Sequence, residues 1–139
     1  MSQTLSIDCE VNRSFNAVDL LKHLENNGWT LNLNDKVTYL PLGDDGMYDW
    51  KVVHVADTKS VFNELNKKVL SNECVGFVLI DKETACGGEF LIWPGYTSFS
   101  LSLSIKNKEP LDAEYFVKRI KSSMDTKGLE CIDIEIGEI

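Results

Sequence analysis

The chain has 139 residues, of which 43% are hydrophobic and 26% charged, and its formal net charge is −8. That length suits a single globular domain, expected over residues 1–139, and the composition is neither that of a disordered chain nor that of a membrane span. The negative balance argues against nucleic acid as a partner, because its phosphates would be repelled at most approaches, and favours either a basic partner or plain solubility.

The first element follows at once. Leu5, Ile7, Cys9 and Val11 alternate with Thr4, Ser6, Asp8 and Glu10, the period-two pattern of a half-buried strand. Ser14 or Asn16 then caps a helix with Val18, Leu20, Leu21 and Leu24 as its stripe, and Asn26-Asn27-Gly28 ends it. Trp29, Leu31 and Leu33 alternate again, Asn34-Asp35 reads as a turn, and Val37, Tyr39 and Leu40 resume an extended run. Pro41 to Asp49 is a loop by its Pro, Gly and Asp content. Trp50–Val55 reads as a short strand. Asp57 or Thr58 caps a second helix whose stripe is Val61, Phe62, Leu65, Val69 and Leu70.

Cys74–Ile80 is apolar on both faces, as a central strand is, and is too short to cross a bilayer. Turn residues fill Asp81–Gly88, and Glu89–Trp93 pairs back as a hairpin arm. Pro94-Gly95 marks the next turn. In Thr97–Ile105, Phe99, Leu101, Leu103 and Ile105 face one way and Ser98, Ser100, Ser102 and Ser104 the other. Asp112 caps a third helix through Tyr115, Phe116, Val117, Ile120 and Met124, closed by Gly128. Last, Ile132, Ile134 and Ile136 alternate with Cys131, Asp133 and Glu135. The order β-α-β-β-β-α-β-β-β-α-β implies an α+β fold: a single mixed, mainly antiparallel sheet of about six to seven strands with three helices packed on it.

Familiar catalytic signatures are missing, including GxGxxG, GxxxxGK, HExxH and GxSxG. The four cysteines form no CxxC pair and no zinc-like spacing with histidine, so reduced, mostly buried thiols are expected, with no metal and no cofactor. An enzyme reading would join Cys86, in the loop ETACGGE, to His54 as a small cytosolic hydrolase or transferase. A small-molecule module with its pocket between sheet and helices is a further alternative. Gly43–Asp49 places three acids together but lacks the register of a calcium loop.

That same loop is a candidate contact surface. Asp44, Asp45 and Asp49 surround Met47, Tyr48 and Trp50, and acids around exposed aromatics suit a basic protein partner. Alternatively, Tyr48 and Trp50 turn inward and only the aspartates face water. A second candidate surface arises if the first, serine-faced and last strands share a sheet. Asp8, Glu10, Asp133 and Glu135 would then flank the serines on one uncovered face.

The acidic loop GDDGMYDW and the acidic strands SIDCE and CIDIEI give the chain a character that resembles the immunity proteins of bacterial polymorphic toxin systems, including contact-dependent growth inhibition. The resemblance implies a non-enzymatic cytoplasmic inhibitor that plugs a cognate toxin domain, often a basic nuclease. The opening MSQTLSIDCEVNR has no basic region followed by an apolar stretch, so no secretory signal is expected either.

Overall fold

The computed structural model describes residues 3–44, 46–105 and 113–138. In chain order these form β1 (Gln3–Val11), α1 (Ala17–Glu25), β2 (Trp29–Thr30), β3 (Lys36–Tyr39), β4 (Lys51–His54), α2 (Thr58–Leu70), β5 (Val75–Asp81), β6 (Gly87–Ile92), β7 (Ser98–Ile105), α3 (Ala113–Thr126) and β8 (Cys131–Glu138). The strands make one open sheet in the order β4-β3-β5-β6-β7-β1-β8, with β2 also paired to β5. Every described pairing is antiparallel. The α+β class therefore holds, with seven strands in the main order and β2 as an eighth.

The alternating strands work as their period requires. Leu5, Ile7, Cys9 and Val11 of β1 and Phe99, Leu101 and Leu103 of β7 join one core cluster with Leu20, Leu21 and Leu24 of α1 and Phe116, Ile120 and Met124 of α3. Phe90 sits at the centre, stacked on Phe77 at 5.5 Å and edge-on to Trp29 at 5.5 Å. Asn16 caps α1, its Oδ1 accepting from the amides of Val18 at 2.9 Å and Asp19 at 3.1 Å. Gly28 follows that helix at φ +92°, a conformation that strains any other residue, and a Cβ there would also push on the Arg119 guanidinium 2.5 Å away.

Several elements differ from the sequence reading. Only Trp29–Thr30 of the expected second strand pairs with β5, while Leu33 is exposed and bridges to Lys36 across the Asn34-Asp35 turn. That turn has positive φ at both residues, the form that matches the twist of paired strands. Before α2 the chain makes a 3-10 turn, Val55–Asp57, capped by His54 Nδ1, which accepts from the Ala56 amide at 3.0 Å. Asp57 occupies the cap position of α2 without a side-chain cap bond, and Thr58 donates its hydroxyl to the Val55 carbonyl instead. The proposed cap Asp112 lies outside the described residues.

The stripe of α2 is the largest correction. Leu70 is 87% exposed and Lys68 is fully buried in its place. At 100° per residue, position 70 lies opposite Val61, whereas position 68 returns to within a small angle of it. Geometry wins over hydropathy here.

Candidate acidic binding face

On the sheet face that the core does not use, β7, β1 and β8 lie side by side. Ser100 stands opposite Asp8, and Asp8 opposite Glu135; Ser98 stands opposite Glu10, and Glu10 opposite Asp133. The structure thus brings Asp8, Glu10, Asp133 and Glu135 together, all four exposed. Direct cross-strand partners have Cβ atoms about 5 Å apart, and like charges there repel. Two such acid–acid pairs are stacked along the strands. Among the described residues, no ion pair engages any of the four.

One of the serines, Ser100, is engaged on this face. The Trp93 indole N–H donates to Ser100 Oγ at 3.1 Å, and the Ser100 hydroxyl in turn donates to Asp8 Oδ1. This chain fixes one carboxylate of the face and holds a half-buried ring at its margin. An open depression of about 310 Å³ results, lined by Asp8, Glu10, Trp93, Ser98, Asp133 and Glu135. It is open to solvent and mostly polar.

The sheet also ends here. β8 pairs with β1 on one side and is the last strand of the order. Ile132 is 56% exposed and Ile136 50% exposed, so the edge next to the acids carries uncovered apolar side chains.

The loop acids lie elsewhere. Asp44, Tyr48, Asp49 and Trp50 belong to the β3–β4 connection, four to six strand spacings from β1 and β8, about 19–29 Å away. The two acidic groups are therefore separate surfaces. Asp45 lies outside the described residues. Tyr48 and Met47 are exposed and Trp50 is half-buried, so none of the three is a core residue. Asp44 is not a free hook. Its Oδ2 accepts from the Tyr48 amide at 3.0 Å and its Oδ1 from the Asp49 amide at 2.9 Å, which holds Tyr48 at φ +53°.

Two charged arrangements and one thiol pair escaped the sequence reading. Lys68 Nζ donates to the Leu40 carbonyl at 3.0 Å beneath this loop, and burial pushes its pKa down. Arg119 pairs with the fully buried Asp81 at 3.1 Å, and its guanidinium lies 5.1 Å from the Trp29 ring centre. Cys9 and Cys131 bring their sulfurs to 3.2 Å. Only the last is tied to the acidic face, since Cys9 sits on its middle strand β1 and Cys131 on its outer strand β8.

Cys86 and His54 are not brought together. Cys86 lies in the β5–β6 turn, its amide donating to Thr84 Oγ1 at 3.3 Å, while His54 ends β4 with β3 and β5 between them. Among the described residues, no cluster of His, Cys, Asp and Glu is arranged to hold a metal ion. The space between sheet and helices is the packed core, and the depressions lie on the surface. No helix among the described residues is long and apolar enough to cross a membrane. Comparison with known proteins adds no family to this geometry: no family model matches the chain, and no curated protein or solved structure matches it.

Proposed function

We propose that the chain is an inhibitory binding protein of the immunity type, acting in the cytoplasm, which seats a basic toxin domain on the acidic face of β1, β7 and β8. The observation that carries this reading is the stacking of Asp8 against Glu135 and Glu10 against Asp133 without a described cationic partner. Such pairs cost stability in the isolated protein. A cationic surface laid across them converts repulsion into attraction and steers the encounter. A partner that also wraps around the β8 edge meets the uncovered Ile132 and Ile136, Ile136 standing opposite Ile7 on the core side of the ladder. Trp93, held by Ser100 on the acidic face, is the aromatic anchor. The loop of Asp44, Tyr48, Asp49 and Trp50 serves as a second, separate contact for a partner large enough to reach it.

The test uses the product of the gene neighbouring this one, if it encodes a large protein ending in a basic domain, purified and mixed with the chain at several salt concentrations. Association is expected to slow as salt rises, and Asp8→Lys with Glu135→Lys is expected to slow it at least tenfold and flatten the salt dependence. A wild-type association rate for that double variant overturns the assignment of the face. Absence of binding and of growth protection by the wild type overturns the inhibitor reading itself.

A further inference from the structure

We propose that Cys9 and Cys131 form a dithiol modification site, which a small-molecule disulfide converts into an intrachain disulfide joining β1 to the edge strand β8. This site stands independently of what the acidic face binds. The two residues are 122 positions apart in sequence, yet their sulfurs are 3.2 Å from each other, with the Cys9 thiol donating to Cys131 Sγ. A bonded pair requires about 2.05 Å, and the short approach of the sulfurs leaves little of that closure to be made by the two side chains and the bulged strand between them.

The approach has a local cause. In a regular ladder Cys9 faces Ile134, and Val11 would face Ile132. The register shifts between Glu10 and Val11, so that Val11 faces Cys131 and Ile132 becomes the extra residue of a bulge. The bulge turns Ile132 out to solvent and sets Cys131 on the inner side, next to Cys9.

The two thiols also differ in the way that exchange requires. Cys9 is buried, and its pKa is raised by its hydrogen bond to Cys131 and by burial. Cys131 is half-exposed, and its pKa is lowered by accepting that bond, against the opposing effects of partial burial and Asp125, with Lys121 also favouring the thiolate. Cys131 is thus the attacking sulfur and Cys9 the resolving one. The Cys131 thiolate attacks one sulfur of the oxidant, whose S–S bond breaks and whose other half leaves as a thiolate that takes a proton. Cys9 then loses its proton to solvent and attacks the Cys131 sulfur, expelling the second half. Two protein thiols are oxidised by two electrons, and one small disulfide is reduced to two thiols. The new bond would pin the strand carrying Asp133 and Glu135 to the strand carrying Asp8 and Glu10.

The probe is oxidised glutathione, added in excess to the folded protein at neutral pH and quenched with acid. Intact mass is expected to fall by two hydrogens. Peptide mapping is expected to show one link, Cys9 to Cys131, with Cys74 and Cys86 still open to alkylation. Tm is expected to rise and to return on reduction, since the bond closes almost the whole chain into a loop. Cys131→Ser abolishes the mass loss, and Cys9→Ala stops the reaction at a glutathione adduct on Cys131. The wild-type mapping decides the matter even if the buried Cys9 variant does not fold. A stable adduct on wild-type Cys131, a link through Cys74 or Cys86, reaction only in denaturant, or an unchanged or lowered Tm overturns the proposal.

Discussion

The ammonium of Lys68 lies fully buried against the main-chain carbonyl of Leu40, 3.0 Å away, with Glu64, Glu73 and Asp44 in its surroundings. Glu64 and Glu73 turn their carboxylates to the loop instead, accepting from the amides of Leu42 and Gly43 at 2.8 Å each. Burial disfavours the charged form of Lys68, so its pKa falls below the ordinary 10.5. The unfolded chain then binds more protons in the alkaline window below 10.5, and this residue makes stability rise with pH there. Tyr39 acts with the opposite sign, its pKa raised to about 12 by burial and by its bond to Glu64. The clean measurement is therefore a difference. Lys68→Met is expected to shift stability by no more than about 1 kcal/mol at neutral pH, the lost hydrogen bond offsetting the lost desolvation penalty. In urea unfolding from neutral to alkaline pH, the wild type should gain on the variant. Parallel curves would refute the depressed lysine.

The pair Arg119–Asp81 ties α3 to the end of β5. Asp81 is fully buried and also takes hydrogen bonds from Thr84 at 2.9 Å and Tyr115 at 3.0 Å through Oδ2. Removing one member of a buried pair leaves the other uncompensated, which costs about 3–5 kcal/mol. Arg119→Met is expected near the lower end, because Thr84 and Tyr115 still serve the carboxylate, and it also gives up the stacking on Trp29. Adding Asp81→Asn should recover part of the loss, a coupling of about 1–3 kcal/mol in a double-mutant cycle by chemical denaturation. Simple additivity would show that the two charges do not support each other.

Asp44 separates a loop-building acid from a free one. Its side chain satisfies two loop amides, those of Tyr48 and Asp49, whereas Asp49 is exposed. Asp44→Ala is expected to cost about 1 kcal/mol and to speed amide exchange at Tyr48 and Asp49. Asp49→Ala should change neither. Equal effects of both variants would mean that the Asp44 bonds do not hold the loop.

What the sequence displayed and what it hid follow from range. The faces of β1 and β7 were legible because alternation is local: Leu5 to Val11 and Phe99 to Leu103 needed no knowledge of partners. The serine face was legible as a face, but its meaning depended on adjacency. Ser100 reaches Asp8 across 92 residues, and nothing near either residue announces the other. The conditional surface of Asp8, Glu10, Asp133 and Glu135 did form, because β1 lies between β7 and β8. The two candidate surfaces lie far apart, because the β3–β4 loop hangs at the opposite end of the strand order. Lys68 was hidden for another reason. Its helical angle put it inward, but a lysine is read by its charge, and Leu70 was preferred although the same angle turned it out.

The acidic face gives the sharpest prediction, since stability and binding should move in opposite directions. Asp133 faces Glu10 and Glu135 faces Asp8 directly across the strand pair. Neutralising one member of each pair removes a like-charge contact worth about 0.2–1 kcal/mol. Asp133→Asn with Glu135→Gln keeps shape and strand register, so the double variant should unfold at higher urea by roughly 0.5–2 kcal/mol of added stability. The gain should shrink toward molar salt, where the Debye length falls to about 3 Å, below the spacing of the paired acids. The same variant should bind the basic partner more weakly, chiefly through slower association. A control on the far loop, Asp49→Asn, should leave stability unchanged. If the double variant is less stable than the wild type in low salt, the carboxylates are holding the strands and not straining against one another, and the face loses its argument as a site kept open for a cationic protein.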